Sequence, residues 1–203
     1  VTFHQNFEVG RNASFAELRQ KHSAVLIATG VYKARELQAP GSGLNGIHAA
    51  LDFLITANRV GLGDTVEAFE DGTLNASGKN VVVIGGGDTA MDCVRSAIRQ
   101  GAKSVKCLYR RNRRNMPGSL REVTNAEEEG VEFIWRAAPE SFLGNSTVSG
   151  VRAHRMRLGQ SDASGRQSPE PIEDSSFTLE SEMVIKALGF DPEDLPTLFD
   201  ETE

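Results

Sequence analysis

Val81-Val-Val-Ile84-Gly85-Gly86-Gly87-Asp88-Thr89-Ala90-Met91-Asp92, followed by Tyr109-Arg110-Arg111-Asn112-Arg113-Arg114-Asn115, decides how the chain is read. Four apolar residues, all β-branched, predict a buried strand. Gly85, Gly87 and Ala90 then stand in a GxGxxA pattern, and an amphipathic segment follows. Strand, glycine-rich turn and helix in that order make a dinucleotide fingerprint. Gly85 allows the tight turn, Gly87 lets a pyrophosphate approach the backbone, and Ala90 keeps the helix close to the strand. The start of the helix faces the phosphates with free N–H groups and a partial positive charge.

A second strand over Ser104 to Leu108 places the ribose-recognition position at its end, about 20 residues past the fingerprint. An acidic residue there accepts from a 2′-hydroxyl, but this chain has Tyr109, Arg110 and Arg111. A 2′-phosphate suits the planar guanidinium fork. The expected dinucleotide is therefore NADP rather than NAD.

The arginines stand against an acidic background, since the formal net charge of the 203 residues is −6. They form a local site rather than a general polyanion surface. A nucleic-acid patch is disfavoured, because aromatic residues are few and no second basic segment supports one. Two cysteines, Cys93 and Cys107, form neither a disulfide framework nor a metal set, and both read as packing residues. No apolar run approaches the ~20 residues of a membrane span, and no signal peptide is visible. The expectation is a soluble cytoplasmic protein.

Working outward, Ser14-Phe-Ala-Glu17 is a capping box that opens a short helix through Lys21. Val25 to Ala28 reads as a strand that ends in Thr29-Gly30, where a ligand or backbone can come close. A helix is expected over Ile47 to Arg59, with Ile47, Ala50, Leu51, Leu54 and Ile55 on its buried face. In the fingerprint helix, Ala90, Met91, Val94, Ala97 and Ile98 face the core, Asp88 or Thr89 is the expected N-cap, and Gly101 ends it. Asp92 reads as a surface acid. Ser119-Leu-Arg-Glu122 is a second capping box, and its helix stops at Gly130. Val131 to Trp135 is a third strand, so the order is half of a doubly wound unit. Val148 to Leu158 and Ser176 to Leu179, separated by a polar loop, read as a β-hairpin or meander. The last strand is Met183 to Ala187. Its end, Val184-Ile-Lys-Ala-Leu-Gly189, nearly copies Val25-Leu-Ile-Ala-Thr-Gly30, as expected where a chain leaves one domain and returns to it around an insertion.

The Gly-Gly-Gly-Asp-Thr-Ala-Met-Asp turn, the Tyr-Arg-Arg-Asn-Arg-Arg-Asn-Met-Pro-Gly-Ser run, Ala126 to Phe133 and the Ala-Leu-Gly-Phe-Asp-Pro end together resemble the small (beta) subunits of NADPH-dependent glutamate synthase. Related motifs occur in the NADPH-binding part of dihydropyrimidine dehydrogenase, which is the alternative family. The resemblance implies an α/β, Rossmann-like three-layer NAD(P)-binding domain with a small β-meander, inserted in remnants of an FAD-binding domain. The expected boundaries are 1–30 for the FAD-domain remnant, 31–189 for the NADPH-binding domain and 190–203 for the return segment.

It implies a flavoprotein that passes electrons from NADPH through FAD and iron–sulfur centres to a large (alpha) subunit, where glutamate is made. The FAD site is largely missing from this chain, and no iron–sulfur ligands are expected in it, so the chain alone is expected to be inactive. Carried over residue by residue, Gly85, Gly86, Gly87, Asp88, Thr89 and Ala90 surround the pyrophosphate, and Arg110, Arg111 and Arg114 the 2′-phosphate. Ala187, Leu188 and Gly189 lie near the nicotinamide, and Thr29 and Gly30 belong to the same cofactor set. Arg113 is the arginine least tied to the phosphate, and Glu122 is accounted for by capping. No catalytic residue and no metal ligand is expected. A rival reading is an interaction module that keeps the fold without using a nucleotide. Apolar residues at the two ends, Phe3, Phe7, Phe190, Leu195, Leu198 and Phe199, allow the fragment to self-associate as a homodimer.

Overall fold

The structure is a computed structural model that describes residues 1–161 and 167–199. Its elements in chain order are α1 (Phe15–Lys21), β1 (Lys33–Ala34), β2 (Ile47–Ala49), α2 (Ala50–Gly61), α3 (Glu67–Glu70), β3 (Asn80–Gly85), α4 (Asp88–Arg99) and β4 (Ser104–Tyr109). A 3₁₀ turn (Arg113–Asn115) leads to α5 (Leu120–Glu128), β5 (Glu132–Trp135), β6 (Ala137–Gly144), β7 (Val148–Ser161), β8 (Gln167–Pro171), β9 (Phe177–Glu180), β10 (Met183–Ala187), β11 (Phe190–Asp191) and α6 (Leu195–Leu198). The chain divides into two units, one spanning Arg35–Gly189 and the other combining Val1–Ala34 with the stretch from Phe190 onward.

In the larger unit, β2, β10, β3, β4 and β5 lie side by side in that order as a parallel sheet. Successive side chains of a strand point to opposite faces, and in β3 both faces are dry. Val81 and Val83 join a core with Ala90, Met91, Val94 and Ala97 of α4, Phe53 of α2 and Val123 of α5. Val82 and Ile84 join a second core with Phe142, Val148, Val151 and Leu179. That second core is closed by an antiparallel sheet of β6, β7 and β8, with β9 on the free edge of β7. The layers are therefore helices, parallel sheet and meander, the three-layer α/β arrangement expected from the sequence.

Several local expectations are corrected. Ile47–Ala49 is not helical: it pairs in parallel with Val184–Lys186 and forms an edge strand. The helix starts only at Ala50 and buries Ala50, Phe53 and Thr56, while Ile55 is exposed. The apolar spacing was real, but a neighbouring strand offered backbone hydrogen bonds that periodicity cannot reveal. β6 and β8 were not anticipated. Their sequences, Ala-Ala-Pro-Glu-Ser-Phe-Leu-Gly and Gln-Ser-Pro-Glu-Pro, have weak strand preference. The register against β7 shifts between Pro139 and Ser141, and such irregularities are where a sheet tolerates proline.

The fingerprint helix starts from Gly87, not Asp88 or Thr89, and has no side-chain cap. Ser119 likewise precedes α5 without a side-chain cap, and Glu122, which a capping box would turn back to the Ser119 N–H, is paired with Arg95 instead. Gly101 and Gly130 follow their helices at positive φ, as the sequence implies.

In the smaller unit, Ser14 and Glu17 form the expected reciprocal capping box on α1. β1 and β11 pair antiparallel, and the rings of Phe15 and Phe199 stack at 4.9 Å. The expected strand at Val25 to Ala28 does not form, and Val25, Leu26 and Ile27 are exposed. A strand is stable only beside a partner, and no described residue pairs with this segment.

Candidate functional site

At the C-terminal ends of β3, β4 and β10 the larger unit opens into a cleft of about 560 Å³. In parallel α/β sheets, ligands bind at this edge. The cleft collects the glycine turn Gly85–Gly87 with Thr89, the pair Arg110 and Arg111, and Ala187–Gly189 at the end of β10. Residues 102 positions apart meet there because β10 runs beside β3, with Ala187 opposite Gly85.

Each glycine of the turn has a different reason to be glycine. A Cβ on Gly85 would lie 2.1 Å from the Ala187 carbonyl oxygen, so β3 and β10 are close enough to exclude any side chain. One on Gly86 would lie 2.5 Å from the ring of Tyr109. One on Gly87 would meet nothing within 4 Å. Gly87 thus shows bare backbone to open space at the uncapped start of α4, where N–H groups lack partners within the helix.

The arginine run is tied down unevenly. Tyr109 donates its hydroxyl proton to the Asn115 carbonyl at 2.8 Å, and the Asn112 side chain accepts from the Asn115 N–H at 3.0 Å. Arg111 Nε donates to the Gln167 carbonyl at 2.9 Å. Arg113 grips both carboxylate oxygens of Glu127, at 2.6 and 2.7 Å. Arg110 and Arg114 are exposed and have no hydrogen bond or ion pair with any described residue. The charged residues lining the cleft are Arg35, Glu36, Arg110 and Arg111, and Glu36 is bound to Lys186 Nζ at 2.5 Å. The cleft is thus cationic on an acidic chain.

The other expected site residues lie outside the lining. Ala90 is fully buried in the helix-side core. Asp88 accepts the Ser119 N–H at 3.0 Å and so fastens the start of α4 to the start of α5. Arg114 sits on the 3₁₀ turn beyond the cleft wall. Thr29 and Gly30 belong to the smaller unit. Glu122, together with Glu129, holds Arg95 between α4 and α5. Asp92 is on the exposed face of α4, and partial burial, then Glu122 and Asp88, push its carboxyl above the usual range. Cys93 and Cys107 are buried, and burial pushes both thiols up, Cys107 to about 12, as suits packing residues.

Sequence reasoning missed the Arg35–Leu37 segment and Ala138–Pro139, which also line the cleft. Neither carries a motif. It also missed the clamp by Met116–Ser119, in which the Gly118 N–H donates to the Gly86 carbonyl at 2.9 Å. The Met-Pro-Gly-Ser run was its visible trace. Among the described residues no group of His, Cys, Asp and Glu could hold a metal ion, and no helix is long and apolar enough to cross a membrane.

A parallel sheet with a glycine-rich turn at its switch point, a bare helix start and a cationic wall defines a dinucleotide-binding class of fold. The chain belongs to the pyridine nucleotide-disulphide oxidoreductase family, whose model matches residues 4–200. It is 70% identical over 203 residues to the glutamate synthase [NADPH] small chain of Azospirillum brasilense, covering all of this chain and 42% of that protein. It is 43% identical over 202 residues to the Escherichia coli small chain, covering 98% and 42% respectively. The chain thus spans less than half the length of these relatives. Among solved structures, Mycobacterium tuberculosis FprA in complex with NADPH superposes with a TM-score of 0.75 at 20% identity, over 94% of this chain and 55% of that one. Thioredoxin reductase of T. acidophilum superposes at 0.55 and 16% identity, over 81% and 43%. Both show the same fold.

Proposed function

We propose that Arg35–Gly189 is the NADPH-binding unit of a flavin-dependent oxidoreductase of the glutamate synthase small-chain type. The observation that carries this is the pairing of bare backbone at Gly87 with Arg110, which has no partner among the described residues, on the same cleft. A pyrophosphate needs close backbone approach and N–H donors, and a 2′-phosphate needs unengaged cations. The residues present fit both groups. Arg111 Nε is engaged by Gln167, and its terminal nitrogens make no hydrogen bond with any described residue.

In this reading, the α4 N–H groups hold the pyrophosphate, and Arg110 and Arg111 select the 2′-phosphate. Asp88 and Ala90 support the turn around them, and Arg114, on the neighbouring 3₁₀ turn, adds a further cation for the 2′-phosphate. Ala187–Gly189 forms the backbone floor beneath the nicotinamide. The chemistry supplied by the bound cofactors is hydride transfer from NADPH to FAD, then electron transfer to iron–sulfur centres. This chain's own residues bind and orient the donor, and no side chain on the cleft acts as nucleophile or base. Residues 1–30 and 190–203 belong, in this reading, to the FAD-binding domain. A cytoplasmic glutamate synthase large subunit receives the electrons and makes glutamate. The 203 residues alone bind NADPH without oxidising it.

Calorimetric titration with NADPH and NADH tests the reading. Arg110→Ala should weaken NADPH about 10- to 100-fold, the loss of one or two charge-assisted hydrogen bonds, and leave NADH nearly unchanged. Equal loss for both nucleotides removes the 2′-phosphate assignment. Failure to bind either nucleotide at millimolar concentration favours the interaction-module reading.

A further inference from the structure

Of the four arginines between positions 110 and 114, Arg113 has no place in the cleft, yet it makes the most complete ion pair of the run. Its Nη1 bridges both oxygens of Glu127, at 2.6 and 2.7 Å, and its Nη2 donates to Thr124 Oγ1 at 3.1 Å. Glu127 and Thr124 are both on α5, one turn apart. The pair is open to solvent, with 42% and 36% of the two side chains exposed, and pairs of that exposure contribute little to stability.

What it does contribute is position. The loop from Arg110 to Asn115 is fixed at three points: Tyr109 and Asn112 hold Asn115, Arg111 holds the Gln167 carbonyl, and Arg113 holds α5. α5 is in turn fastened to the glycine turn through Gly118–Gly86 and Ser119–Asp88. Arg110, without a partner among the described residues, and the pyrophosphate-facing backbone are thereby referenced to one frame. Preorganised cations lose less freedom on binding an anion.

We infer that the Arg113–Glu127 ion pair is a positioning device for cofactor selectivity, holding the arginine loop against α5 so that Arg110 and Arg111 meet the 2′-phosphate of NADPH. This rests on the dinucleotide reading above. It has a signature that simple charge does not. Glu127→Gln removes a negative charge, so long-range electrostatics favours the more anionic nucleotide and would tighten NADPH. Release of the loop weakens it.

The experiment is titration of the 203-residue chain with NADPH and NADH, with thermal melts of each variant. Arg113→Ala and Glu127→Gln should each weaken NADPH about fivefold, equivalent to ~1 kcal/mol, with NADH within about twofold and melting nearly unchanged. Glu127→Asp and the exchanged pair Arg113→Glu with Glu127→Arg should recover most of the loss. Tighter or unaltered NADPH binding by Glu127→Gln overturns the inference. So does equal loss of both nucleotides, which marks a general structural role. A wild-type chain that binds neither nucleotide removes the dinucleotide reading and this inference together. A wild-type chain that prefers NADPH, beside indifferent variants, removes only this one.

Discussion

The Gly118 N–H donates to the Gly86 carbonyl at 2.9 Å, so the turn that ends the arginine run is fastened to the turn that opens α4. A Cβ on Gly118 would lie 3.1 Å from that same carbonyl oxygen, which leaves little slack between the two turns. The glycine turn and the arginine loop therefore form one assembly, even though α4 and β4 separate them in the chain.

Three glycine substitutions separate folding from binding. Gly85→Ala, with its Cβ 2.1 Å from the Ala187 carbonyl and φ at +150°, should prevent folding or cost more than about 3 kcal/mol. Gly86→Ala meets the Tyr109 ring and should cost about 1–3 kcal/mol. Gly87→Ala should melt with the wild type, because its Cβ meets no protein atom, yet lose dinucleotide binding. Circular dichroism melts alongside nucleotide titration give both readings. A Gly87→Ala chain with wild-type affinity would place the pyrophosphate elsewhere.

The Lys186 side chain is nearly buried, 13% exposed, and its ammonium is paired with Glu36. Glu36→Ala leaves that charge without its partner and should destabilise the chain by about 1–3 kcal/mol. Lys186→Met in the Glu36→Ala background should restore most of the loss, since an apolar side chain suits the position beside Val184 on β10. Urea unfolding of the single and double variants reports the coupling.

The α4–α5 staple predicts acid sensitivity. Arg95 binds Glu122 and, through Nε and Nη2, Glu129, at 2.9 and 2.7 Å for the latter. The hydrogen bond from Arg95, opposed by some burial and aided by Arg99, holds the Glu129 carboxyl below the usual range. Its folded value is depressed, so its stabilisation is complete above the ordinary glutamate value and is lost as pH falls through the lowered one. Glu129→Gln should lower stability at pH 7 by about 1 kcal/mol and lessen the loss of stability below about pH 4.5. Melting curves across pH 3–7 for both chains check this; parallel curves would show that Glu129 is not the group concerned.

The two thiols should be silent in the folded chain. Cys93 and Cys107 are buried, and Cys107 Sγ donates to the Gly85 carbonyl at 3.4 Å. Alkylation by a maleimide should follow global unfolding, with both thiols reacting together on denaturant addition. Rapid labelling of either thiol under native conditions would contradict the packing around β3 and β4.

The central strands and helices were legible because β3, α4, β4 and α5 each bury a face that the sequence patterns correctly, and because Gly101 and Gly130 mark helix ends chemically. β2, β6 and β8 were not legible. Ile47–Ala49 looks like the first turn of α2, and β6 and β8 contain prolines. What makes each a strand is a neighbour far away in sequence. The capping boxes show the same divide. Ser14-x-x-Glu17 closes on itself, whereas at Ser119-x-x-Glu122 the carboxylate is claimed by Arg95 on another helix.

By itself, then, the sequence determined the glycine-rich turn and the presence of the arginines, because a glycine's steric freedom and a guanidinium's charge are local properties. Tertiary structure decided how those residues are used. It put β10 against β3 so that Gly85 can be nothing else, buried Ala90, turned Asp88 toward Ser119, and divided equivalent arginines into Arg113, paired to α5, and Arg110, left facing the cleft. Those distinctions rest on distances between segments far apart in the chain, and no local pattern contains them.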